Sequence, residues 1–335
     1  MKKKAVFLSG EDTAKIMQVY DPDTQNRLHE YVDLFPELIK RGNAEQYADV
    51  LREAEIVFST WGMPAFSDEE LEHYVPSLKI VFYGAGSVQG FARPFLGRSI
   101  KVVSSWAANA IPVAEYTAAQ IVLAHKGFFQ AAWQYKQNYK EARRTASNHP
   151  GNYGAKVGII GAGMIGKKVI SLLGNYNLAV DVFDPFLGDD AAEELGVRKT
   201  DLIGLFSSCD TISNHLANRP ETVGMLHYEL FSRMLPHATF INTGRGAQVV
   251  EADLIRSLRE VPTRTALLDV TNPEPVQEDS EFLALPNVFL SPHLAGSKGR
   301  EVARMGAYMA EECERYLNGE PLRYEVTIEM LATMA

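Results

Sequence analysis

The chain has 335 residues, 46% hydrophobic and 22% charged, enough apolar material for two cores. Its net charge of −9 offers no general attraction for nucleic acid or an anionic membrane, so an anionic ligand would need a local positive site. Two cysteines, Cys209 and Cys313, make no disulfide framework and fit a reducing, cytoplasmic compartment; the apolar run Ala5–Leu8 is too short for a signal peptide, and none approaches the roughly 20 residues of a membrane span.

Between residues 4 and 104, short apolar runs alternate with polar, helix-like stretches. The runs are Lys4–Leu8, Glu55–Ser59, Lys79–Tyr83 and Lys101–Ser104, with a weaker one near Tyr31–Phe35. The helical stretches include Asn43–Glu53 and Asp68–Tyr74. This alternation predicts an open α/β domain with a parallel sheet. Ser-Thr-Trp-Gly at 59–62, Tyr-Gly-Ala-Gly-Ser at 83–87 and Ser-Ser-Trp at 104–106 follow its strands. Ligands bind beyond the carboxyl ends of such strands. Trp61, Tyr83 and Trp106 either shape a pocket there or simply pack.

Asn109 and Pro112 are helix start signals, and Val113–Glu141 contains no proline and one glycine, Gly127. A single helix over that stretch would run roughly 43 Å, long enough to cross between domains or form a subunit contact. The polar stretch Arg143–Gly154 reads as a linker. A second α/β domain follows, with six predicted strands at Lys156–Ile160, Ala179–Phe183, Thr211–Asn214, Ala238–Asn242, Ala266–Asp269 and Val288–Leu290. In the tail, Val302, Met305, Met309 and Leu317 recur on a helical period within Gly299–Leu317.

Four short segments carry chemistry. The first is GAGMIG at Gly161–Gly166, between an apolar strand and the helix-compatible run Lys167–Leu173. In this context G-x-G-x-x-G is a dinucleotide loop. Gly161 permits the tight turn, Gly163 the approach of a pyrophosphate, and Gly166 close helix packing, with helix amides facing the anion. Asp184 ends the next strand, where an acid accepts hydrogen bonds from ribose hydroxyls. No arginine follows nearby, which favours NAD over NADP. The other three segments, INTGRGA at Ile241–Ala247, LDVTNPEP at Leu268–Pro275 and SPHLAG at Ser291–Gly296, each follow an apolar run. They supply Arg245, Glu274 and His293: a planar cation for a carboxylate, an acid to orient an imidazole, and an imidazole to move a proton. There is no HExxH, no Cys/His cluster and no GxSxG, which argues against a metal site and a serine nucleophile.

In this order the four segments resemble the D-isomer-specific 2-hydroxyacid dehydrogenase family, from about Leu78 to about Leu322. The resemblance implies two open parallel-sheet α/β domains. One is a flavodoxin-like split substrate domain over 1–108 and 297–335, to which the tail returns. The other is a Rossmann NAD-binding domain over 109–296. It implies an active site in the cleft, a homodimer, and hydride exchange between NAD(H) and a small D-2-hydroxy acid or 2-keto acid. Arg245 would bind the substrate carboxylate, His293 act as acid and base, and Glu274 support it. Asp269 would meet the nicotinamide carboxamide, and Met164, Ile165, Leu216, Thr243, Gly244 and Gly296 would join the loop glycines and Asp184 around the cofactor. His215, in SNHLANRPET, would be structural. Formate dehydrogenases of the superfamily carry glutamine in place of Glu274, and phosphite oxidation needs a lysine that Tyr83–Gly90 lacks.

The chain departs from the family twice. Its substrate loop, Tyr83–Gly90, lacks the usual aspartate, although the amides of Ala85, Gly86 and Ser87 can still bind a carboxylate. Ala217 stands where a proline is usual. The alternative function is an NAD-responsive, corepressor-like binding protein with little turnover, because such relatives keep the same residues. The sequence identifies neither the particular acid nor the direction of reaction.

Overall fold

A computed structural model describes residues 2–10 and 14–332; residue 1 and residues 333–335, at the ends of the expected first domain, lie outside it, as do 11–13. The chain forms two compact units, Met1–Asn109 with Ser297–Ala335, and Ala110–Gly296. Each is an α/β unit built on an essentially parallel sheet, as the alternating runs led one to expect.

The first unit holds β1 (Lys4–Ser9), β2 (Asp33–Lys40), β3 (Ile56–Ser59), β4 (Ile80–Tyr83) and β5 (Lys101–Ser104). They lie parallel in the order β2-β1-β3-β4-β5, the flavodoxin-like arrangement. The sheet is covered on both faces, so its strands read as continuous apolar runs whose side chains alternate between two cores. Ala5, Phe7, Ile56, Phe58, Ile80 and Phe82 enter one core. Val6, Leu8, Val57, Val81 and Tyr83 enter the other. The helix Asp68–Tyr74 starts on a capping box, with the Glu70 N–H donating to Ser67 Oγ at 3.2 Å and the Ser67 N–H to Glu70 Oε2 at 2.9 Å. The C-terminal helix Glu301–Leu317 packs Met305, Met309 and Cys313 into the first of these cores. A strand absent from the sequence reading, Glu325–Val326, adds antiparallel to β5. It is too short to show a period.

The second unit holds β6 (Tyr153–Ile160), β7 (Asn177–Phe183), β8 (Arg198–Lys199), β9 (Thr211–Asn214), β10 (Thr239–Asn242), β11 (Thr265–Leu268) and β12 (Val288–Leu290). The order is β12-β11-β10-β9-β6-β7-β8, with every pairing parallel. The sheet therefore has seven strands rather than the expected six. The extra one, β8, is exposed and charged and shows no apolar run. It is fastened to β7 by Arg198, whose Nε and Nη2 donate to the two oxygens of buried Asp181 at 2.8 and 2.5 Å. Strand order reverses between β6 and β9, which opens the crevice where nucleotides bind in such sheets.

The single helix expected over Val113–Glu141 is three helices: α1 (Trp106–Ala124), α2 (Phe128–Tyr135) and α3 (Tyr139–Ser147). Gly127 ends the first run at φ +64°, and a Cβ there would lie 2.5 Å from the His149 ring. Asn138 restarts the chain as a cap, accepting from the Lys140 and Glu141 N–H groups at 3.1 and 3.3 Å. Pro112 is not a start signal but lies inside α1. The expected linker shrinks to residues 148–152, between α3 and β6. The helix α4 (Met164–Leu173) follows β6.

Candidate active site

The loop between β6 and α4 separates two uses of glycine. Gly161 has φ +90°, and a Cβ on it would lie 2.9 Å from the His215 carbonyl just past β9. A Cβ on Gly166 would lie 2.1 Å from the Gly161 carbonyl. Both positions are dictated by the protein's own packing. Gly163 is different: its φ of −69° suits other residues, and a Cβ would meet nothing within 4 Å. It caps α4, whose first N–H groups, including those of Met164, Ile165 and Gly166, have no acceptor within the helix. Glycine keeps the space before those amides open, and that space fits a dinucleotide pyrophosphate. Asp184, just past β7, ties the loop from behind: Oδ2 accepts from the Ala162 N–H and Oδ1 from the Phe186 N–H, each at 2.7 Å. No arginine stands among the residues immediately after Asp184, but the fold brings one close, with the Arg219 guanidinium 5.7 Å from the centre of the Phe186 ring.

A buried amide web joins the loops after β9 and β10. Asn214 Nδ2 donates to Asn242 Oδ1 at 3.0 Å and to Gln248 Oε1 at 2.7 Å. Gln248 Nε2 reaches the Leu216 and Ala217 carbonyls at 3.0 and 2.9 Å, and the Gly244 N–H donates to Asn242 Oδ1 at 3.0 Å. Leu216 is thereby held beside Gly161, and Gly244 beside Asn214 and Gln248; Thr243 Oγ1 lies 3.2 Å from Thr117 Oγ1. Asn214, Asn242 and Gln248 were not singled out from sequence; only their place near the ends of apolar runs could have marked them. His215 is partly buried, with Nδ1 out of contact with solvent and Nε2 2.9 Å from Ser213 Oγ, and this burial pulls its pKa down to about 4. The ring is neutral near pH 7.

Arg245, Asp269, Glu274 and His293 all sit just past strand ends of the second unit. Gly246 lets two of their loops meet, because a Cβ there would lie 2.1 Å from the Thr271 carbonyl. The half-buried Arg245 donates from Nη1 to the Gly244 carbonyl at 2.8 Å. Burial lowers the pKa of its guanidinium, and the charge of Glu274 acts in the opposite sense. Asp269 is buried and accepts three hydrogen bonds: from Ser291 Oγ (2.6 Å) and the Leu294 N–H (2.9 Å) on Oδ1, and from the Ala295 N–H (2.9 Å) on Oδ2. His293 has a left-handed backbone, φ +49°, held by its N–H to the Asp269 and Ser291 carbonyls at 3.0 and 2.9 Å. Its Nδ1 lies 2.6 Å from Glu274 Oε1, with both side chains about half exposed. With Nδ1–H directed to the carboxylate, Nε2 is the nitrogen left to exchange a proton. A cavity of about 460 Å³ opens here, lined by Asp269, Glu274, Leu290 and His293 among others. Gly296 ends the unit.

In the first unit, the loop expected to meet the substrate, Tyr83–Gly90, follows β4. Ala85 is fully buried and its N–H donates to the Tyr83 carbonyl at 2.8 Å, so of the three amides expected to meet the substrate this one has a partner within the chain. Among the described residues, the Gly86 and Ser87 N–H groups have no partner. Trp61, Tyr83 and Trp106 each make packing contacts. Trp61 lies against both cores, Tyr83 is buried 4.8 Å from the Phe91 ring, and Trp106 stands edge-on to Tyr324 at 6.0 Å. No group of His, Cys, Asp and Glu that could hold a metal ion occurs among the described residues, and none of their helices is long and apolar enough to cross a membrane.

The doubly wound second unit, its open glycine loop and the polar residues at its strand ends define a dinucleotide-binding protein of the dehydrogenase type. Residues 118–295, more than half of the chain, match the model of the D-isomer specific 2-hydroxyacid dehydrogenase NAD binding domain. The chain belongs to the D-isomer specific 2-hydroxyacid dehydrogenase family, and its cofactor is NAD. A D-3-phosphoglycerate dehydrogenase of Archaeoglobus fulgidus is 30% identical over 231 residues, 69% of this chain and 44% of that protein. One of Bacillus subtilis is 29% identical over 261 residues, 78% of this chain and 49% of that protein. The chain thus spans about half the length of these curated relatives. Among solved structures, Rhodotorula graminis D-mandelate dehydrogenase superposes with a TM-score of 0.79 at 18% identity, covering 97% of both chains. At that identity the likeness speaks for the fold alone.

Proposed function

We propose that the protein is an NAD-dependent dehydrogenase that interconverts a D-2-hydroxy acid and its 2-keto acid. The observation that carries this reading is the 2.6 Å contact between His293 Nδ1 and Glu274 Oε1, which leaves Nε2 available to a substrate. When bound, NAD(H) supplies or takes up the hydride. In reduction, His293 gives its Nε2 proton to the carbonyl oxygen of the keto acid; in oxidation, the neutral ring takes the hydroxyl proton. Glu274 stabilises the protonated ring and fixes its orientation. Arg245, short of a carboxylate partner among the described residues, binds the carboxylate of the substrate through its planar fork. The amides of Gly86 and Ser87 are the first unit's candidates for an anionic substrate group. Asp269 accepts from the nicotinamide carboxamide, and Asp184 from the ribose hydroxyls. The boundaries of the two units are read as a split substrate domain and an NAD domain.

The deciding experiment is NADH oxidation against glyoxylate, hydroxypyruvate, pyruvate, phenylpyruvate and sugar-derived keto acids. Phosphohydroxypyruvate joins the panel because curated relatives are named as phosphoglycerate dehydrogenases. Inactivity on every member would refute the reading. Assembly as a homodimer is part of the proposal. Phe128, Trp133, Tyr135 and Tyr139 are exposed on α2 and α3, and clustered aromatics mark an interaction face. A monomer by light scattering at micromolar concentration would refute the dimer.

A further inference from the structure

The carboxylate of Asp269 is the end point of a hydrogen-bond chain that starts on α1. Gln120 Nε2 lies 2.9 Å from Tyr116 Oη, Tyr116 Oη lies 3.0 Å from Ser291 Oγ, and Ser291 Oγ lies 2.6 Å from Asp269 Oδ1. The chemistry of the two ends fixes its direction. A carboxylate only accepts, so the Ser291 hydroxyl donates to Asp269. Ser291 has one proton, so it must accept from Tyr116. Tyr116 has then used its own proton and accepts from the Gln120 amide, which donates. Every proton in the chain points toward Asp269 Oδ1. Burial and, to a lesser degree, the charge of Asp269 hold the Tyr116 phenol above its usual range against the opposing Ser291 hydrogen bond, so the phenol keeps its proton to donate. Gln120 Oε1 is buried and has no partner among the described residues, so the amide is held there by its donor end. Thr117, which follows Tyr116 on α1, brings its Oγ1 3.2 Å from Thr243 Oγ1. One face of α1 thus braces the loops after both β10 and β12.

We propose that Tyr116 is a positioning residue which, through Ser291, fixes the Asp269 carboxylate so that Oδ2 keeps a lone pair for the nicotinamide carboxamide. The proposal rests on the reading of Asp269 as the carboxamide partner. Oδ1 is occupied twice, by Ser291 and the Leu294 N–H, whereas Oδ2 carries the Ala295 N–H alone. Without the chain, each oxygen keeps one backbone donor, the Leu294 N–H on Oδ1 and the Ala295 N–H on Oδ2, and the distinction between them is lost. Neither Tyr116 nor Ser291 need touch the ligand for this.

The test is NADH affinity of the full chain by fluorescence titration, which needs no turnover. Asp269→Asn and Ser291→Ala should each weaken binding about tenfold, as for a lost hydrogen bond to a charged group, and Tyr116→Phe about threefold. Ser291→Thr keeps the hydroxyl and should bind like the parent. The decisive variant is the double substitution. If the hydroxyls act in series, Tyr116→Phe adds nothing to Ser291→Ala. The KM for the keto acid should not move in Tyr116→Phe, whereas a merely structural loss would change it too. Gln120→Leu breaks the same chain from its far end and stands in if Tyr116→Phe fails to fold. Parental affinity in Tyr116→Phe, or full additivity with Ser291→Ala, overturns the relay. Parental affinity in Asp269→Asn overturns the carboxamide reading itself, and the relay with it.

Discussion

Two carboxylates five positions apart in sequence live in opposite surroundings. Asp269 is buried and held by two backbone N–H groups and a hydroxyl. Glu274 is half exposed and has one contact with the His293 ring. Asp184 follows the first pattern, with both oxygens tied to backbone N–H groups. Acids assigned to the cofactor are anchored to main-chain N–H groups, which neither gain nor lose charge. The acid assigned to proton transfer rests on a side chain that gains and loses charge. Backbone anchoring suits a group that must recognise a fixed shape; a looser, solvated contact suits one that follows a moving proton.

The largest expected effect lies on the loose side of this comparison. His293→Gln should lower kcat on the best keto acid by about 10²–10⁴-fold, the usual contribution of general acid–base catalysis, while NADH binding stays near parental. Near-parental kcat would remove His293 from proton transfer. Arg245→Ala should come next, with kcat/KM lower by about 10²-fold through loss of a charge-assisted contact, again with little change in NADH affinity. Substrate kinetics beside NADH titration separate the two sides: if Arg245→Ala weakens NADH as much as substrate, the arginine belongs with the anchored group.

Acid stability sharpens the contrast using imidazoles instead of carboxylates. His215 is partly buried, and burial pulls its pKa to about 4 from the ordinary 6.5. Its folded state therefore binds protons more weakly than its unfolded state. The resulting stability is present above pH 6.5 and is lost progressively as pH falls toward 4, about 3 kcal/mol at the limit. His125 and His149, also lowered mainly by burial, act in the same direction. Melting temperature should fall from pH 7 to pH 5, and His215→Gln should make that fall shallower. An equal slope in the variant would show that His215 does not titrate on unfolding.

What the sequence conveyed followed from contiguity. The glycine loop and the segments around Arg245, Glu274 and His293 are short motifs whose chemistry is carried by adjacent residues. The strands showed because buried parallel strands are runs of apolar side chains. What it hid depended on distant partners. Tyr116 acquires its role from Ser291, 175 residues further on, and neither looks unusual locally. Gly127 is tolerable in a helix until His149 folds against it, and β8 rests on an ion pair rather than an apolar run. Ala85 looked like a free amide because a hydrogen bond two residues back leaves no trace in composition.

The smallest effect concerns the choice between NAD and NADP, where the anchored side meets a complication. On the proposed reading of Asp184 as the ribose partner, its negative charge disfavours a 2'-phosphate. Arg219, stacked over Phe186 two residues on, places positive charge near the same end. The guanidinium is 3.3 Å from Glu221, which offsets part of its charge, whereas the bonding partners of Asp184 are backbone amides that leave its charge uncompensated. The aspartate should therefore prevail, giving a kcat/KM preference for NADH over NADPH of about tenfold, the scale of one modest charge interaction. Asp184→Asn should narrow the preference, because the amide keeps an acceptor for the glycine loop but loses the charge. Arg219→Ala should widen it by further weakening NADPH. Equal kcat/KM for the two cofactors in the parent would mean that Arg219 outweighs Asp184, and that anchoring by the backbone does not decide which nucleotide is accepted.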